Sequence, residues 1–257
     1  MTKPHALAPG ERSEHPAGVD SQIGKAFIGL REMLLHGELA RGERISELPL
    51  VTRLGTSRTP IRLALERLAH MGLLDSLATG GFAVRGFTLA EVQDAIELRG
   101  VLEGTAARFA AERLHDDSEL GAMREYCAQM EALDGLTIDT FAVYMDLNES
   151  FHAALIDLAR SAMLRRAIAQ VNSLPFASAS AMVFPTSVLP NAGANLVIAN
   201  DHHRSIVDAV ARRQGARAES LAREHAFVAR RVLGVALSDT HALSSIPGGP
   251  LIHVSAT

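Results

Sequence analysis

The order of apolar and turn-forming residues over positions 21–87 restricts the fold of this chain more than any other feature. Apolar residues recur at helical spacing over 21–36, and a short second helix is expected from Ser46 to Leu54, where Gly55 suits a helix end. A third helix follows, and two short apolar pieces around Thr79-Gly80-Gly81 predict a β-hairpin. Helix, short helix, tight turn, helix and hairpin in this order are typical of a winged helix-turn-helix.

The third predicted helix begins with residues that suit contact with DNA. Arg58 and Arg62 are four residues apart and therefore share one face of the helix. Arginine suits bidentate contact with guanine or phosphate, and Thr59 can reach a phosphate or a base edge. The alternative for Arg62 is a surface ion pair with Glu66, one turn further on. The surrounding order of elements favours the DNA contact.

Charge and composition limit the remaining possibilities. Positions 21–87 carry nine Lys and Arg against six Asp and Glu, whereas positions 88–257 carry fourteen against twenty, so only the N-terminal part suits a polyanion. The single cysteine, Cys127, cannot form an internal disulfide, and the apolar runs are too short to span a bilayer. We therefore expect a cytoplasmic protein without a membrane partner, in which residues 1–20 form a disordered tail.

The rest of the chain is expected to be helical. Hydrophobic residues make up 47% of the sequence and aromatic residues only 4%, which is typical of helices packed through aliphatic side chains. The predicted fold is mainly α, with a winged helix-turn-helix over 21–87 and an all-helical bundle over 88–240. Helices are predicted near 88–115, 116–134, 138–160, 161–174, 200–214 and 216–237. The apolar but irregular stretch 174–195 is expected to pack over the bundle, and the tail at 241–257 to pack on its own chain or across a dimer.

Three histidines in the bundle form a candidate metal site. Asn148 and His152 share a helix face, while His203 and His225 lie on or near the inward faces of two later helices. Three imidazoles and an amide oxygen that converged inside a bundle would hold a metal ion with positions open for water or a ligand. Each histidine alone is more often an ordinary core or surface residue, and the adjacent His202 is expected to be exposed.

The stretch RLGTSRTPIRLALERLAHMGLL, followed by GGFAV, resembles the DNA-binding domain of GntR-type bacterial transcription factors. The chain departs from many members at Leu48, where they have an arginine that contacts phosphate. The resemblance implies DNA contacts by the recognition helix, by a basic residue before it and by the wing tip, at Arg58, Thr59, Arg62, Arg53, Gly80 and Gly81.

The segments NESFHAAL, HRSIVDAV and REH resemble the FCD ligand-binding domain of the FadR branch of that family. The resemblance implies a divalent metal ion, with Zn, Ni or Mn as candidates, held by Asn148, His152, His203 and His225. Asn148 replaces an aspartate of many members and so removes a negative charge. In ELRGVLE, Arg99 matches an arginine that often faces the effector cavity; its alternative is a helix-surface pair with Glu103.

Together these features predict a dimeric regulator, acting as a repressor on double-stranded operator DNA and responding to a small carboxylic acid. The competing class is a metal-dependent enzyme of a helical-bundle fold, because three histidines can leave a coordination position for water. Glu149 and His152 form one Glu-x-x-His pair of the kind that di-metal bundles use, but no general base stands out. A third alternative is a metal-free site in which the histidines bind the effector by hydrogen bonds.

Overall fold

The computed structural model describes residues 17–133, 137–184, 188, 192–237 and 240–253. The chain is mainly helical, as predicted, with short strands near the start and end of the described residues. The helices are α1 Ala17–Leu35, α2 Glu47–Leu54, α3 Arg58–His70, α4 Leu89–Arg113, α5 Gly121–Ala132, α6 Ile138–Leu158, α7 Ala162–Asn172, α8 Ala192–Ala211, α9 Gly215–Ala236 and α10 Thr240–Ser245. The strands are β1 Leu74–Ser76, β2 Phe82–Val84, β3 Phe87–Thr88 and β4 Ile252–His253.

Residues 17–86, here called the head, contain the predicted order of helices and hairpin. Leu30 of α1 is buried against the apolar face of α3, which includes Ile61 and Leu65. Gly55 ends α2 in the left-handed conformation, and β1 pairs antiparallel with β2. Helix α1 begins at Ala17, four residues before the predicted start, and residues 1–16 of the predicted disordered tail lie outside the described part of the chain.

Helices α4 to α9, here called the bundle, pack most closely where α4 meets α9. Thr88 caps α4 together with Glu91 in a reciprocal capping box. A methyl group on Gly100 would lie 2.8 Å from Cβ of Ala226, and one on Gly104 would lie 2.9 Å from the carbonyl oxygen of Glu219. The two glycines therefore let the backbones of α4 and α9 approach closely.

The irregular stretch before α8 folds over the bundle, as predicted. Residues 173–184 form successive turns, and their apolar side chains enter the core shared with the head. The buried members are Phe176, Ala177, Met182 and Phe184. Helix α8 starts at Ala192 rather than near 200, so the irregular stretch is shorter than predicted, and residues 185–187 and 189–191 lie outside the described residues.

The segment predicted as a C-terminal tail packs on its own chain. Helix α10 is followed by a 3-10 turn at Gly249–Leu251 and by β4, which pairs parallel with β3. Ile246, Leu251 and Ile252 are buried in the same core as the head. The described helices include none with the length and hydropathy needed to cross a membrane.

Candidate DNA-binding surface and metal site

The amino end of α3 presents the predicted recognition residues to solvent. Ser57 occupies the N-cap position, and Arg58, Thr59 and Arg62 are exposed in the first turns of the helix. The opposite face of α3 is buried against α1, which fixes the helix in the head. This geometry leaves the three predicted contact residues at the solvent-exposed surface of the head.

Two of the predicted contact residues also make ion pairs within the chain. Arg62 Nε lies 3.3 Å from Glu66 Oε1, which is the alternative considered from the sequence, and Arg53 pairs with Glu38. These pairs are exposed and therefore contribute about 0–1 kcal/mol each. DNA phosphates can compete for both arginines. Leu48, in place of the family's arginine, is 58% exposed and offers no charge at that position.

The wing tip has the backbone that its glycines favour. Gly80 and Gly81 both have φ +83°, in the left-handed region that glycine adopts at no steric cost. Arg44 Nη2 donates a hydrogen bond of 2.9 Å to the carbonyl of Gly80, and the Arg44 backbone pairs with Ala83. Sequence reasoning missed Arg44 because it lies outside both the recognition helix and the hairpin. A basic residue just before the second helix was the available signal.

His152, His203 and His225 converge in the bundle from α6, α8 and α9. One ring nitrogen of each lies within 4.8 Å of those of the other two, and all three rings are buried. The ring centroids are 5.5 Å apart for His152 and His203, 5.1 Å for His152 and His225, and 4.4 Å for His203 and His225. Rings this close can share one metal ion.

The electrostatics of the cluster suit a cation. Burial, and next to it the charge of neighbouring histidines, lowers the pKa of His203 and His225 well below 6.5, so both rings are neutral and have a free lone pair. Five ring nitrogens of the three histidines lack a hydrogen bond of good geometry to the described residues. An unsatisfied buried polar group costs about 1–3 kcal/mol. Coordination by a divalent ion would satisfy one nitrogen of each ring, and imidazole suits Zn and Ni.

Glu103 lies between His152 and Arg99. Its Oε2 is 3.1 Å from His152 Nδ1, at an angle poor for a hydrogen bond, and 3.6 Å from Arg99 Nη1. Burial opposes ionisation of Glu103, but the charges of His152 and Arg99 outweigh it and lower the pKa to about 2. An ionised carboxylate beside Nδ1 favours the His152 tautomer whose Nε2 is free to bind a metal.

Arg99 and Glu103 do form the pair considered from the sequence. The pair is buried in the bundle, so the prediction that it lies on the helix surface was wrong. Both side chains are only 1% exposed, and Arg99 lines the cavity beside the cluster. The sequence did not predict that Glu103 is buried beside His152. The spacing of two residues shows that they share a helix face, but it does not show whether another helix packs on that face. The neighbouring Gly100 and Gly104, which mark a close helix contact, were the available signal.

Asn148 lies one turn before His152 on α6 and is buried. Its Nδ2 donates a 3.0 Å hydrogen bond to Ser180 Oγ, and Ser180 Oγ in turn donates to the carbonyl of Met145 at 3.4 Å. Because the hydroxyl proton is used, the amide must supply the donor, which leaves Oδ1 as the group of Asn148 available to an ion or ligand.

A cavity of about 50 Å³, partly open to solvent, adjoins the histidine cluster. Arg99, Tyr144, Asn148 and His225 supply its polar wall, and residues 179–184 with α8 and α9 supply an apolar wall. A mostly apolar cavity with a few convergent polar groups suits a small ligand.

Other candidate residues lie away from the cluster or at its edge. His202 is half-buried, with its ring centroid 6.0 Å from that of His225, so the expectation of full exposure was wrong. Glu149 is exposed rather than inward. A second Glu-x-x-His pair, Glu112 and His115, is also exposed, at the end of α4. The structure therefore does not bring these groups together as a di-metal site.

A winged helix joined to a helical bundle with a buried histidine cluster defines a class of bacterial transcription regulators. Comparison with known families agrees: residues 25–84 match the model "Bacterial regulatory proteins, gntR family", and residues 94–227 match the FCD domain. The chain belongs to the GntR family, in the branch with an FCD domain, and it is a transcriptional regulator rather than an enzyme.

Individual relatives support this assignment. The chain is 32% identical over 192 residues to the "Probable D-xylose utilization operon transcriptional repressor" of Paenarthrobacter nicotinovorans, covering 75% of this chain and 78% of that protein. It is 32% identical over 131 residues to the Nta operon transcriptional regulator of Aminobacter aminovorans, covering 51% and 60%. The solved structure of E. coli McbR/YncC matches with a TM-score of 0.57 at 19% identity, over 83% of this chain and 96% of that one, and supports the fold alone.

Proposed function

We propose that the protein is a cytoplasmic homodimer that represses transcription from double-stranded operator DNA and is controlled by a small carboxylic acid bound near a divalent metal ion. The functional units are the winged helix at 21–87 and the effector domain at 88–240. The observation that carries this proposal is that Arg99 and His225 line one cavity. A cationic side chain and a metal ligand on the same wall are complementary to an anionic ligand.

The metal proposal rests on the buried cluster. His152, His203 and His225 would hold the ion, with Asn148 Oδ1 as the fourth protein ligand. Zn, Ni and Mn are the candidate ions. A bound ion would supply a Lewis-acidic centre for oxygen ligands, and the Glu103 carboxylate, 3.1 Å from His152 Nδ1, would favour the tautomer whose Nε2 binds the ion.

The carboxylic acid proposal rests on Arg99. Its Nε and Nη1 are buried without a hydrogen bond to a described residue. These unpaired N–H groups can donate charge-assisted hydrogen bonds to a carboxylate ligand. Sugar acids, hydroxy acids and aromatic acids are the candidate classes, and the largely apolar wall favours acids with few hydroxyl groups.

Dimerisation and control follow from how such heads read DNA. Two heads related by a two-fold axis bind two half-sites of an operator, each with one α3 in the major groove. An acid in the cavity changes operator affinity only to the extent that it binds the DNA-competent and DNA-incompetent arrangements differently.

The proposal is tested in three steps on the purified protein. Metal analysis and sedimentation give the ion and the oligomeric state, and a thermal-shift screen of small acids identifies a stabilising ligand. That ligand is then added to the protein bound to the DNA upstream of its own operon, and the operator affinity is measured. Chemical conversion of the acid, or stabilisation without any change in operator affinity, would contradict the proposal.

Arg99→Met is expected to destabilise the protein by about 3 kcal/mol and to abolish the acid-induced thermal shift. The substitution removes the guanidinium and leaves Glu103 as a buried charge that has lost one of its two partners. Urea unfolding measures the first effect and the thermal-shift screen the second. Arg108→Met on the same helix is the matched control, because its pairs with Glu112 and Glu219 are part-exposed and contribute little to stability.

Arg44→Ala is expected to lower the affinity for any DNA duplex about 3- to 10-fold. Arg44 places a positive charge beside Gly80 at the wing tip, where a sequence-independent phosphate contact would fall. The slope of log affinity against log salt should decrease in magnitude by about 1. Titration of a random-sequence duplex at several salt concentrations measures both quantities. Arg31→Ala on α1 should change neither, and an unchanged slope for Arg44→Ala would remove Arg44 from the DNA-binding surface.

A further inference from the structure

Residues 246–253, here called the C-terminal clamp, lie beyond both ranges that match family models, and they contact the junction of head and bundle. Strand β4 pairs in parallel with β3, with Ile252 opposite Phe87 and His253 opposite Thr88. The connection between β2 of the head and α4 of the bundle consists of Arg85, Gly86 and the two residues of β3. The clamp therefore binds the interdomain linker itself.

The clamp also contacts the head directly. Arg41 Nη1 donates a 2.8 Å hydrogen bond to the carbonyl of Ile252. Pro250 packs on Gly37, where a methyl group would lie 2.8 Å from the proline Cβ. Leu251 is fully buried in the core that α1 and α3 form. These contacts fix the head at a point away from the exposed amino end of α3.

On its other side the clamp meets the segment that walls the cavity. A methyl group on Gly248 would lie 2.5 Å from Cγ of Pro175, so the backbone of Gly248 packs closely against the proline ring. The next residue, Phe176, packs edge-on against Phe87 of β3, with ring centroids 4.8 Å apart. A few residues later, the same segment lines the cavity from Ala179 to Phe184.

We infer that the C-terminal clamp fixes the orientation of the head relative to the bundle, and that Phe176 links this clamp to the cavity wall. Arg41 and Ile252 are positioning residues, because they act on the head without belonging to its recognition surface. The clamp itself requires neither metal nor effector. A regulatory effect of the clamp, transmitted from the cavity through Phe176, rests on the proposed function.

Limited trypsin digestion of the full chain, followed by mass spectrometry, tests the clamp at the Arg85–Gly86 bond. When opening is fast relative to cleavage, the cleavage rate reports the population of opened linker. Arg41→Ala and Ile252→Ser should each accelerate this cleavage about tenfold, whereas Ile252→Val should stay within about twofold of the wild type. Cleavage after Arg108 and Arg223, within α4 and α9, should not change.

Two results would overturn the clamp. One is an unchanged rate at Arg85–Gly86 in both variants. The other is an equal acceleration at Arg108 and Arg223, because that pattern would show general destabilisation of the fold rather than opening of the linker.

A cysteine pair gives a second test that does not weaken the core. Thr88→Cys with His253→Cys places thiols at exposed, directly paired positions of β3 and β4. Oxidation should slow cleavage at Arg85–Gly86 at least tenfold relative to the same protein when reduced, while equal rates would contradict the clamp. The reduced form controls for the lost Thr88 cap, and native Cys127 is buried and does not compete.

Phe176→Leu tests the link to the cavity wall. It should accelerate cleavage at Arg85–Gly86 about fivefold, because the ring contact with Phe87 is lost. Phe109→Leu is the matched control, since Phe109 packs in a separate part of the bundle with Leu164 and Ile168. Equal rates for the two variants would remove Phe176 from the inference. The proposed function fails separately, if the wild type binds neither Zn²⁺ nor operator DNA.

Discussion

Replacing Arg58 and Arg62 together with alanine is expected to lower operator affinity by about 30-fold to 10⁴-fold. Both side chains lie at the exposed amino end of α3, and each bidentate arginine contact to a base contributes about 1–3 kcal/mol. The loss of the exposed Arg62–Glu66 pair contributes little to stability, so the variant should fold normally. Fluorescence anisotropy with DNA from upstream of the protein's own operon, at one fixed salt concentration, measures the change.

Arg67→Ala is the matched control for this experiment. Arg67 lies on the same helix, but its guanidinium is placed over the ring of Phe27, 4.4 Å from the centroid, and so is turned toward α1. Its removal should cost at most about tenfold in affinity, in line with the loss of one phosphate contact. Tight and specific binding that survives the double substitution would show that α3 is not the recognition helix.

His225→Ala is expected to weaken Zn²⁺ binding at least about 100-fold. The substitution removes one of three buried imidazoles whose nitrogens lie within 4.8 Å of one another. Loss of a hydrogen-bond partner of a metal ligand lowers metal affinity about 10- to 100-fold, and loss of a ligand itself should lower it at least as much. In the wild type, Zn²⁺ at 100 times its Kd should stabilise the fold by about 2.7 kcal/mol. For a chain of this size that corresponds to a rise in Tm of about 5–10 °C. The His225→Ala variant should show almost no Zn²⁺-dependent rise in Tm.

His36→Ala controls for the general effect of losing an imidazole, because His36 is exposed just after α1 and pairs only with Glu32 in the described structure. The same variants separate the metal site from the metal-free alternative. If His225→Ala retains the metal content of the wild type and its Zn²⁺-dependent shift, the cluster is not the metal site. Loss of the acid response in a protein that never bound metal would favour hydrogen bonding by the histidines instead.

The head was predictable from sequence because its signals are local. Gly55 ends α2 in the left-handed conformation and Gly80 and Gly81 turn the hairpin, and each of these requirements is met within a few residues. Ile61, Leu65 and Leu68 of α3 repeat at helical spacing, so the buried face of that helix was predictable from the sequence. Its function as a recognition helix stays a prediction until DNA binding is measured.

The bundle was predictable as a set of helices, but not in its packing. The convergence of His152, His203 and His225 depends on the crossing angles of three helices, which no local pattern encodes. The resemblance to the FCD domain supplied that step. The burial of Glu103 and the half-burial of His202 were missed for the same reason, and the two-residue strand β4 is too short to have a periodic signal.

A tilt of α4 about its close contact with α9, here taken as the pivot, would move the amino end of the helix. Arg99 and Glu103 flank the points where Gly100 and Gly104 lie against α9, so the acid proposed for the cavity would bind beside the pivot. From Gly100 to the start of α4 at Leu89 is about 16 Å, at 1.5 Å per residue. A tilt of about 5° around the pivot would move that end by about 1.5 Å. The displacement would reach the linker strand directly, because Thr88 caps the helix and is itself the last residue of β3.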